Sequence, residues 1–137
     1  MGSITFHLNG VERTVDGGGT LLELLRDGCN LTSPKDGCSP TGQCGCCTVL
    51  VDGQAKVACA FPAERAAGRS VVTLEGVDER ERKIFAESFS LTGGVQCGFC
   101  IPGIVVRAKH ILAKTPRPSR DEIARGLGRT FVDARVT

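Results

Sequence analysis

The sequence predicts an α+β protein with a small mixed sheet in its first half and helices in its second half. Alternating apolar and polar residues flank Asn9-Gly10, a pattern typical of a β-hairpin, and a similar pattern surrounds Asp52-Gly53. After Gly76, apolar side chains recur at helical spacing instead. The change lies near residues 69–78, so we expect one domain over residues 1–75 and a second over residues 76–137.

The first elements are predicted to be a hairpin and a short helix. The hairpin joins strands at 4–8 and 11–15 through a type I′ turn. Thr20-Leu-Leu-Glu23 is a capping box, which indicates a helix start. We expect that helix to end at Gly28 and to turn three leucines inward: Leu21, Leu24 and Leu25.

Two Pro, three Gly and four Cys without periodicity predict a loop from Ser33 to Cys47. A second hairpin follows, with strands at 48–52 and 54–59, and a further strand is expected at 71–74.

Three helices are expected in the second half. The first begins in the charged run 78–83, and the second begins near Pro102, a residue favoured at the first helical position. The second helix should bury a stripe opposite Arg107, Lys109 and His110, made of Ile104, Val105, Ala108, Ile111 and Leu112. Residues 115–118 break this helix, and a capping box at 119–122 begins the third.

Composition excludes several classes of protein. The 17 Lys and Arg against 15 Asp and Glu give a net charge of +2 without a basic run, so nucleic acid is not an expected partner. The chain shows neither a signal peptide nor an apolar run of about 18 residues, so we expect no membrane span and a cytoplasmic location. In a reducing compartment, eight clustered cysteines indicate metal or redox chemistry.

Four cysteines match the way in which plant-type 2Fe-2S clusters are held. Cys38, Cys44 and Cys47 share one loop, and Cys59 ends the following hairpin. Five residues separate Cys38 from Cys44 where the plant-type spacing has four, and a bulge at positions 40–41 would absorb the difference. The two remaining cysteines of the first half, Cys29 and Cys46, are expected to fill the core.

The pair Cys97 and Cys100 leaves three possibilities: half of a cluster site, half of a zinc site, or a redox dithiol. A zinc module would combine this pair with Cys44 and Cys47, but the 49 residues at positions 48–96 exceed common zinc spacings. A dithiol oxidoreductase lacks the expected preceding βαβ unit, and the two histidines are not paired with cysteines as a Rieske centre requires.

Two motifs resemble the iron–sulfur subunit of the xanthine oxidase family of molybdenum hydroxylases, which includes xanthine, aldehyde, carbon monoxide and N-heterocycle dehydrogenases. The first motif covers positions 34–38 and 42–49, with Asp52-Gly53 and Cys59 downstream. The second is Val95-Gln-Cys-Gly-Phe-Cys-Ile-Pro-Gly103. The resemblance implies an N-terminal β-grasp ferredoxin domain followed by a small helical-bundle domain.

The resemblance also implies the function of the chain. It would be an electron-transfer subunit of an oxidoreductase, without a complete active site of its own. Cys38, Cys44, Cys47 and Cys59 would hold the first 2Fe-2S cluster, Cys97 and Cys100 would be two ligands of a second cluster, and Gln96 would face the molybdopterin. Electrons would pass from a molybdopterin-binding large subunit, through the clusters, to FAD on a medium subunit.

The chain departs from the family pattern at the second cluster. The family supplies two more ligands from a Cys-Arg-Cys-Thr-Gly segment, whereas no cysteine follows Cys100 here. Because the sequence at 131–134 resembles what the family places after that segment, a short internal loss between Gly128 and Phe131 is the simplest explanation. We expect Cys29 and Cys46, as residues of the other domain, not to reach the second site.

Overall fold

The computed structural model describes residues 2–128, which form a mixed sheet and four helices of an α+β fold. The strands are β1 (Ser3–Leu8), β2 (Val11–Asp16), β3 (Thr48–Val51), β4 (Gln54–Val57) and β5 (Ser70–Val72). The helices are α1 (Leu21–Glu23), α2 (Glu79–Thr92), α3 (Ile101–Lys114) and α4 (Arg120–Leu127). The predicted fold class is therefore confirmed at this level.

The sheet has the strand order β2-β1-β5-β3-β4. Strand β5 pairs parallel with β1, and all other pairs are antiparallel. Asn9 and Gly10 have φ of 52° and 84°, and Asp52 and Gly53 have φ of 50° and 81°. Positive φ at both central residues is what a type I′ turn requires, so both predicted hairpins are confirmed. Strand β4 ends before Cys59, which lies in a 3₁₀ turn at Ala58–Ala60.

The leucine-rich helix covers one face of the sheet. Its capping box is present: the Glu23 N–H donates to the Thr20 hydroxyl at 3.2 Å, and the Thr20 N–H donates to the Glu23 carboxylate at 3.0 Å. A π turn (Leu24–Gly28) continues α1 to the predicted end at Gly28. The core beneath it includes Phe6, Leu21, Leu25, Val49 and Val71, each fully buried.

The other face of the sheet is covered by α3, which packs against β3. As a result, all four residues of β3 are buried. The expected stripe on α3 is partly wrong, because the buried residues form the consecutive run Gly103–Val106, while Leu112 is 42% exposed. The buried residues of α3 thus lie in its first turn and a half, whereas residues 107–114 are half-buried or exposed. No helix within residues 2–128 combines the length and apolarity needed to cross a lipid bilayer.

Candidate metal centre

The cysteine loop, residues 33–47, contains neither strand nor helix, as predicted, and is held at its start by side chains from distant elements. One guanidinium nitrogen of Arg26 donates to the carbonyls of Thr32 and Pro34, at 3.1 and 2.7 Å. The carboxylate of Glu75, three residues after the end of β5, accepts hydrogen bonds from the Ser33 hydroxyl and from the Ser33 N–H, the latter at 3.2 Å. These contacts fix the direction in which the chain enters the loop.

Glu75 belongs to a polar network that the sequence does not indicate. The buried Thr73 hydroxyl donates to Glu75 at 2.8 Å and accepts from the Asn9 amide at 3.0 Å. The Thr73 N–H donates in turn to the Asn9 carbonyl oxygen at 2.9 Å. Burial raises the pKa of the Glu75 carboxyl, but hydrogen bonds from Ser33 and Thr73 lower it below its usual value. The network joins the first hairpin turn, the cysteine loop and the segment that leads to α2.

The cysteines predicted for the first cluster lie together at one end of the sheet. Cys44, Cys47 and Cys59 are buried, and Cys38 is half-buried. The Cys59 N–H donates to the Cys47 sulfur at 3.4 Å, and Cys44 neighbours both Cys47 and Cys38. The four thiols thus form a continuous series of neighbours, although Cys38 and Cys59 are 21 positions apart in the chain.

Backbone N–H groups point at the sulfurs of this series. The Thr41 N–H donates to the Cys38 sulfur at 3.2 Å, and the Cys46 N–H donates to the Cys44 sulfur at 3.4 Å. Gly42 and Gly45, with φ of 74° and 73°, provide turns that other residues rarely adopt. Such donors stabilise negative charge on sulfur, which is the form that binds iron.

The protonation of the thiols differs across the loop. Burial raises the pKa of Cys38, but hydrogen bonds from Thr41, Cys44 and Gln43 outweigh it and lower that pKa to about 6. Burial is also the largest influence on Cys47, whose pKa is raised to about 12. Iron binding requires that the proton on Cys47 be lost, so metal affinity at this site must depend on pH.

Cys46 is buried, as expected, but it does not lie apart from the other cysteines. A Cβ built on Gly37 would stand 2.9 Å from the Cys46 sulfur and 3.0 Å from the Cys44 sulfur, so both thiols crowd the same glycine. Burial, a hydrogen bond with the Cys44 thiol, and the nearby Cys44, Cys100 and Cys38 sulfurs raise the pKa of Cys46 to about 12. The expectation that Cys46 does not reach the second site stays a prediction, although Cys100 is among the thiols that raise the pKa of Cys46. Cys29, by contrast, is an ordinary member of the core.

The first turn of α3 lies directly on the cysteine loop. A Cβ on Gly103 would clash with the Gly45 carbonyl oxygen and would stand 3.1 Å from the Cys46 Cα. Only glycine allows this approach of helix and loop. Gly103 therefore sets how closely the two cysteine motifs approach each other in space. The sequence motif alone does not indicate this role.

The second motif is more open than the first. Gln96 and Cys97 are exposed, and Cys100, half-buried, occupies the position just before α3. Phe99 reaches the first motif, with its ring edge 3.3 Å from a Cβ built on Gly37 and its centre 5.8 Å from the Lys35 ammonium. The contacts of Phe99 and Gly103 connect the two motifs physically.

The donor set of the first loop fits a 2Fe-2S cluster. Each iron of such a cluster takes two thiolates, and the loop together with the 3₁₀ turn after β4 offers four thiols, those of Cys38, Cys44, Cys47 and Cys59. Within residues 2–128, no group of three His, Cys, Asp or Glu side chains converges as ligands of one metal ion. In the second motif, Cys97 and Cys100 alone provide thiols, and the expectation about a loss between Gly128 and Phe131 lies outside the described residues.

Two iron–sulfur families match this chain. A 2Fe-2S iron–sulfur cluster binding domain matches residues 6–70, and a second 2Fe-2S binding domain matches residues 73–132. Together they cover both cysteine motifs.

Known proteins are similar over most of the chain. The small FeS subunit of nicotinate dehydrogenase from Eubacterium barkeri is 40% identical over 124 residues, which are 88% of this chain and 78% of that subunit. A probable xanthine dehydrogenase subunit of Bacillus subtilis (strain 168) is 39% identical over 78% of this chain and 61% of its own length. Among solved structures, quinoline 2-oxidoreductase from Pseudomonas putida 86 aligns with a TM-score of 0.85 and 34% identity, over 95% of this chain and 82% of that one.

Proposed function

Because this chain belongs to the iron–sulfur subunits of the xanthine oxidase family of molybdenum hydroxylases, we propose that it carries electrons on a 2Fe-2S cluster held by Cys38, Cys44, Cys47 and Cys59. The strongest support is that a chain with this family likeness brings the four thiols to one end of the sheet and directs backbone N–H groups at three of their sulfurs. When bound, such a cluster accepts and gives up one electron at a time. The chain's own residues supply its anionic ligands, the hydrogen bonds to them, and exclusion of water from three of the four sulfurs.

A second, more exposed site is proposed at Cys97 and Cys100. Gly103, at the start of α3, lies against the Gly45 carbonyl and the Cys46 backbone, so the two cysteine motifs are in contact. Gln96 is exposed next to this pair and is proposed to face the molybdopterin of a large subunit. We assign residues 1–75 to a β-grasp ferredoxin domain and residues 76–137 to a helical domain of the 2Fe-2S binding type.

The helical part carries apolar surface that suits a large partner. Helix α2 has no buried residue, and together with α3 it borders an open groove of about 680 Å³. Large side chains exposed on this part are Ile84, Leu91, Val95, Phe99 and Leu112, between 42 and 88% exposed. We propose that a molybdopterin-binding subunit covers this surface and that an FAD-binding subunit accepts the electrons, in the cytoplasm.

The colour and spectrum of the purified protein test the proposed cofactor. A 2Fe-2S protein is brown and gives a paramagnetic signal once reduced, whereas a zinc module on Cys44, Cys47, Cys97 and Cys100, or a dithiol at Cys97 and Cys100, is colourless. We expect a brown protein with a single signal. A colourless protein that contains zinc would overturn the assignment.

Co-expression tests the proposed partner. We expect the chain to be poorly soluble alone and to co-purify with a co-expressed molybdopterin-binding subunit. Leu91→Glu and Ile84→Glu should weaken that complex while leaving the visible spectrum unchanged, and Val11→Glu, on the distant strand β2, serves as the matched control. A stable monomer that binds no large subunit would contradict the proposal.

A further inference from the structure

The sulfur of Cys46 lies on the same side of the cysteine loop as the sulfur of Cys44. A Cβ built on Gly37 would stand 2.9 Å from the Cys46 sulfur and 3.0 Å from the Cys44 sulfur, so both sulfurs lie around one point of the backbone. Gly45, between the two cysteines, has φ of 73°, a left-handed turn that places both side chains on this side. The two residues are only 5% and 6% exposed. The loop thus holds a second buried thiol where it holds the proposed ligand Cys44.

The next cysteine along the chain, Cys47, has different surroundings. Its sulfur accepts a hydrogen bond from the Cys59 N–H at 3.4 Å, and its side chain packs in the apolar cluster that also contains Cys29 and Cys59. The Cys46 sulfur is buried against Gly37 instead. Cys46 and Cys47 therefore lie on different sides of the loop although they are adjacent in sequence, and Cys46 is paired in space with Cys44.

The backbone of Cys46 is fixed from two directions. The Lys35 N–H donates to the Cys46 carbonyl oxygen at 3.1 Å, and a Cβ built on Gly103 of α3 would stand 3.1 Å from the Cys46 Cα. A cysteine sulfur moves by rotation about one bond, between staggered positions. The Cys46 sulfur can therefore change its direction while the loop and α3 stay in place.

We propose that Cys46 is a reserve ligand of the N-terminal cluster, which takes the position of Cys44 on iron when the Cys44 thiolate is lost. In this exchange the iron–sulfur bond to Cys44 breaks and a bond to Cys46 forms. The proton of the Cys46 thiol passes to the Cys44 sulfur, or to water where Cys44 has been replaced, so that no electron is gained or lost. Iron is again bound by a thiolate, the form of cysteine that ligates metals. This inference rests on the proposed function, because it requires that Cys44 be a ligand.

The test uses variants of the full-length chain, measured by iron and acid-labile sulfide per chain, by the visible spectrum and by the paramagnetic signal after reduction. Cys44→Ala, Cys46→Ala and the double variant Cys44→Ala/Cys46→Ala are compared, because alanine offers iron no oxygen in place of sulfur. Cys47→Ala is the matched control, since Cys47 is also close to Cys46 in sequence but faces Cys59. A second pair, Cys44→Ser and Cys44→Ser/Cys46→Ala, retains nearly the full side-chain volume at position 44.

We expect Cys46→Ala to match the wild type and Cys44→Ala to keep two irons per chain with an altered spectrum. The double variant Cys44→Ala/Cys46→Ala and Cys47→Ala should lose the iron. In the serine pair, the added Cys46→Ala change should alter or remove the absorption.

Loss of iron from Cys44→Ala, retention of iron by the double alanine variant or by Cys47→Ala, or identical spectra in the serine pair would each overturn the inference. A wild-type chain without a cluster would overturn the ligand assignment instead, so the two failures are distinguishable.

Discussion

The two cysteine motifs of this protein differ in how completely their surroundings are built. Around the first motif, three of the four thiols are buried, and backbone N–H groups point at the sulfurs of Cys38, Cys44 and Cys47. Around the second motif, Cys97 is exposed and Cys100 is half-buried at the start of α3. The difference teaches that the fold surrounds the first four thiols with backbone donors and buried side chains, whereas it leaves the second pair of thiols more open.

The largest expected effect comes from removing a ligand of the first site. Cys38→Ser, Cys44→Ser, Cys47→Ser and Cys59→Ser should each lose or alter the visible absorption, since one missing thiolate opens an iron to solvent. Absorption and iron content of the purified variants measure this loss.

The controls for this prediction are Cys29→Ser and Cys46→Ser, which should keep the spectrum. Cys46 is the stricter control, because its sulfur lies as close to Gly37 as the sulfur of Cys44 does. A bleached Cys46→Ser chain beside an intact Cys38→Ser chain would show that the longer spacing has moved the ligand set.

A smaller effect is expected where the two motifs touch. Gly103→Ala would place a methyl group against the Gly45 carbonyl oxygen, and a backbone atom cannot rotate away. We expect a loss of about 1–3 kcal/mol, typical of overpacking, seen as a lower midpoint temperature of unfolding.

Gly126→Ala is the matched control for Gly103→Ala. The added methyl group there would meet the end of the Ile111 side chain at 2.5 Å, and that side chain can turn. This variant should lose no stability, because alanine favours the helix. Equal stability of the two variants would refute the close approach of α3 and the cysteine loop.

The smallest effect is expected at Glu75, which holds the entrance of the cysteine loop. Glu75→Gln should cost about 1 kcal/mol, because hydrogen bonds from Ser33 and Thr73 to a charged acceptor become bonds to a neutral one.

The effect should depend on pH. The folded pKa of Glu75 lies below its usual value, so its contribution is fully present above the unfolded pKa of about 4.3 and disappears as the pH falls through the folded pKa. Thermal unfolding of wild type and Glu75→Gln between neutral and acid pH measures this. A difference that grows toward low pH would contradict it, and the exposed Glu87→Gln on α2 is the control.

Much of the fold could be predicted because the signals are local. Asn9-Gly10 and Asp52-Gly53 adopt the positive φ values that those residue pairs favour, and the box at Thr20 requires residues only three positions apart. In the cysteine loop, the glycines that allow its turns likewise lie within two positions of the cysteines in the sequence. Each signal depends on neighbours within a few residues.

The remainder depends on contacts between distant parts of the chain. The Ser33–Glu75 bonds span 42 positions, and the close approach of Gly103 to Gly45 and Cys46 arises only when α3 docks on the loop. The expected stripe on α3 was partly wrong for the same reason: helical periodicity describes burial on one side, but the four consecutive residues Gly103–Val106, which face all sides of the helix, are buried. Periodicity cannot indicate how many sides of a helix will be covered.

The most direct test of the contrast between the two sites is the amount of iron and acid-labile sulfide bound by the 137-residue chain expressed on its own. The first motif supplies four thiolates and the second supplies two, and open positions on iron make a cluster labile. We predict two irons per chain and one paramagnetic signal after reduction. Four irons per chain with two distinct signals, at the intact mass that the sequence requires, would contradict this contrast.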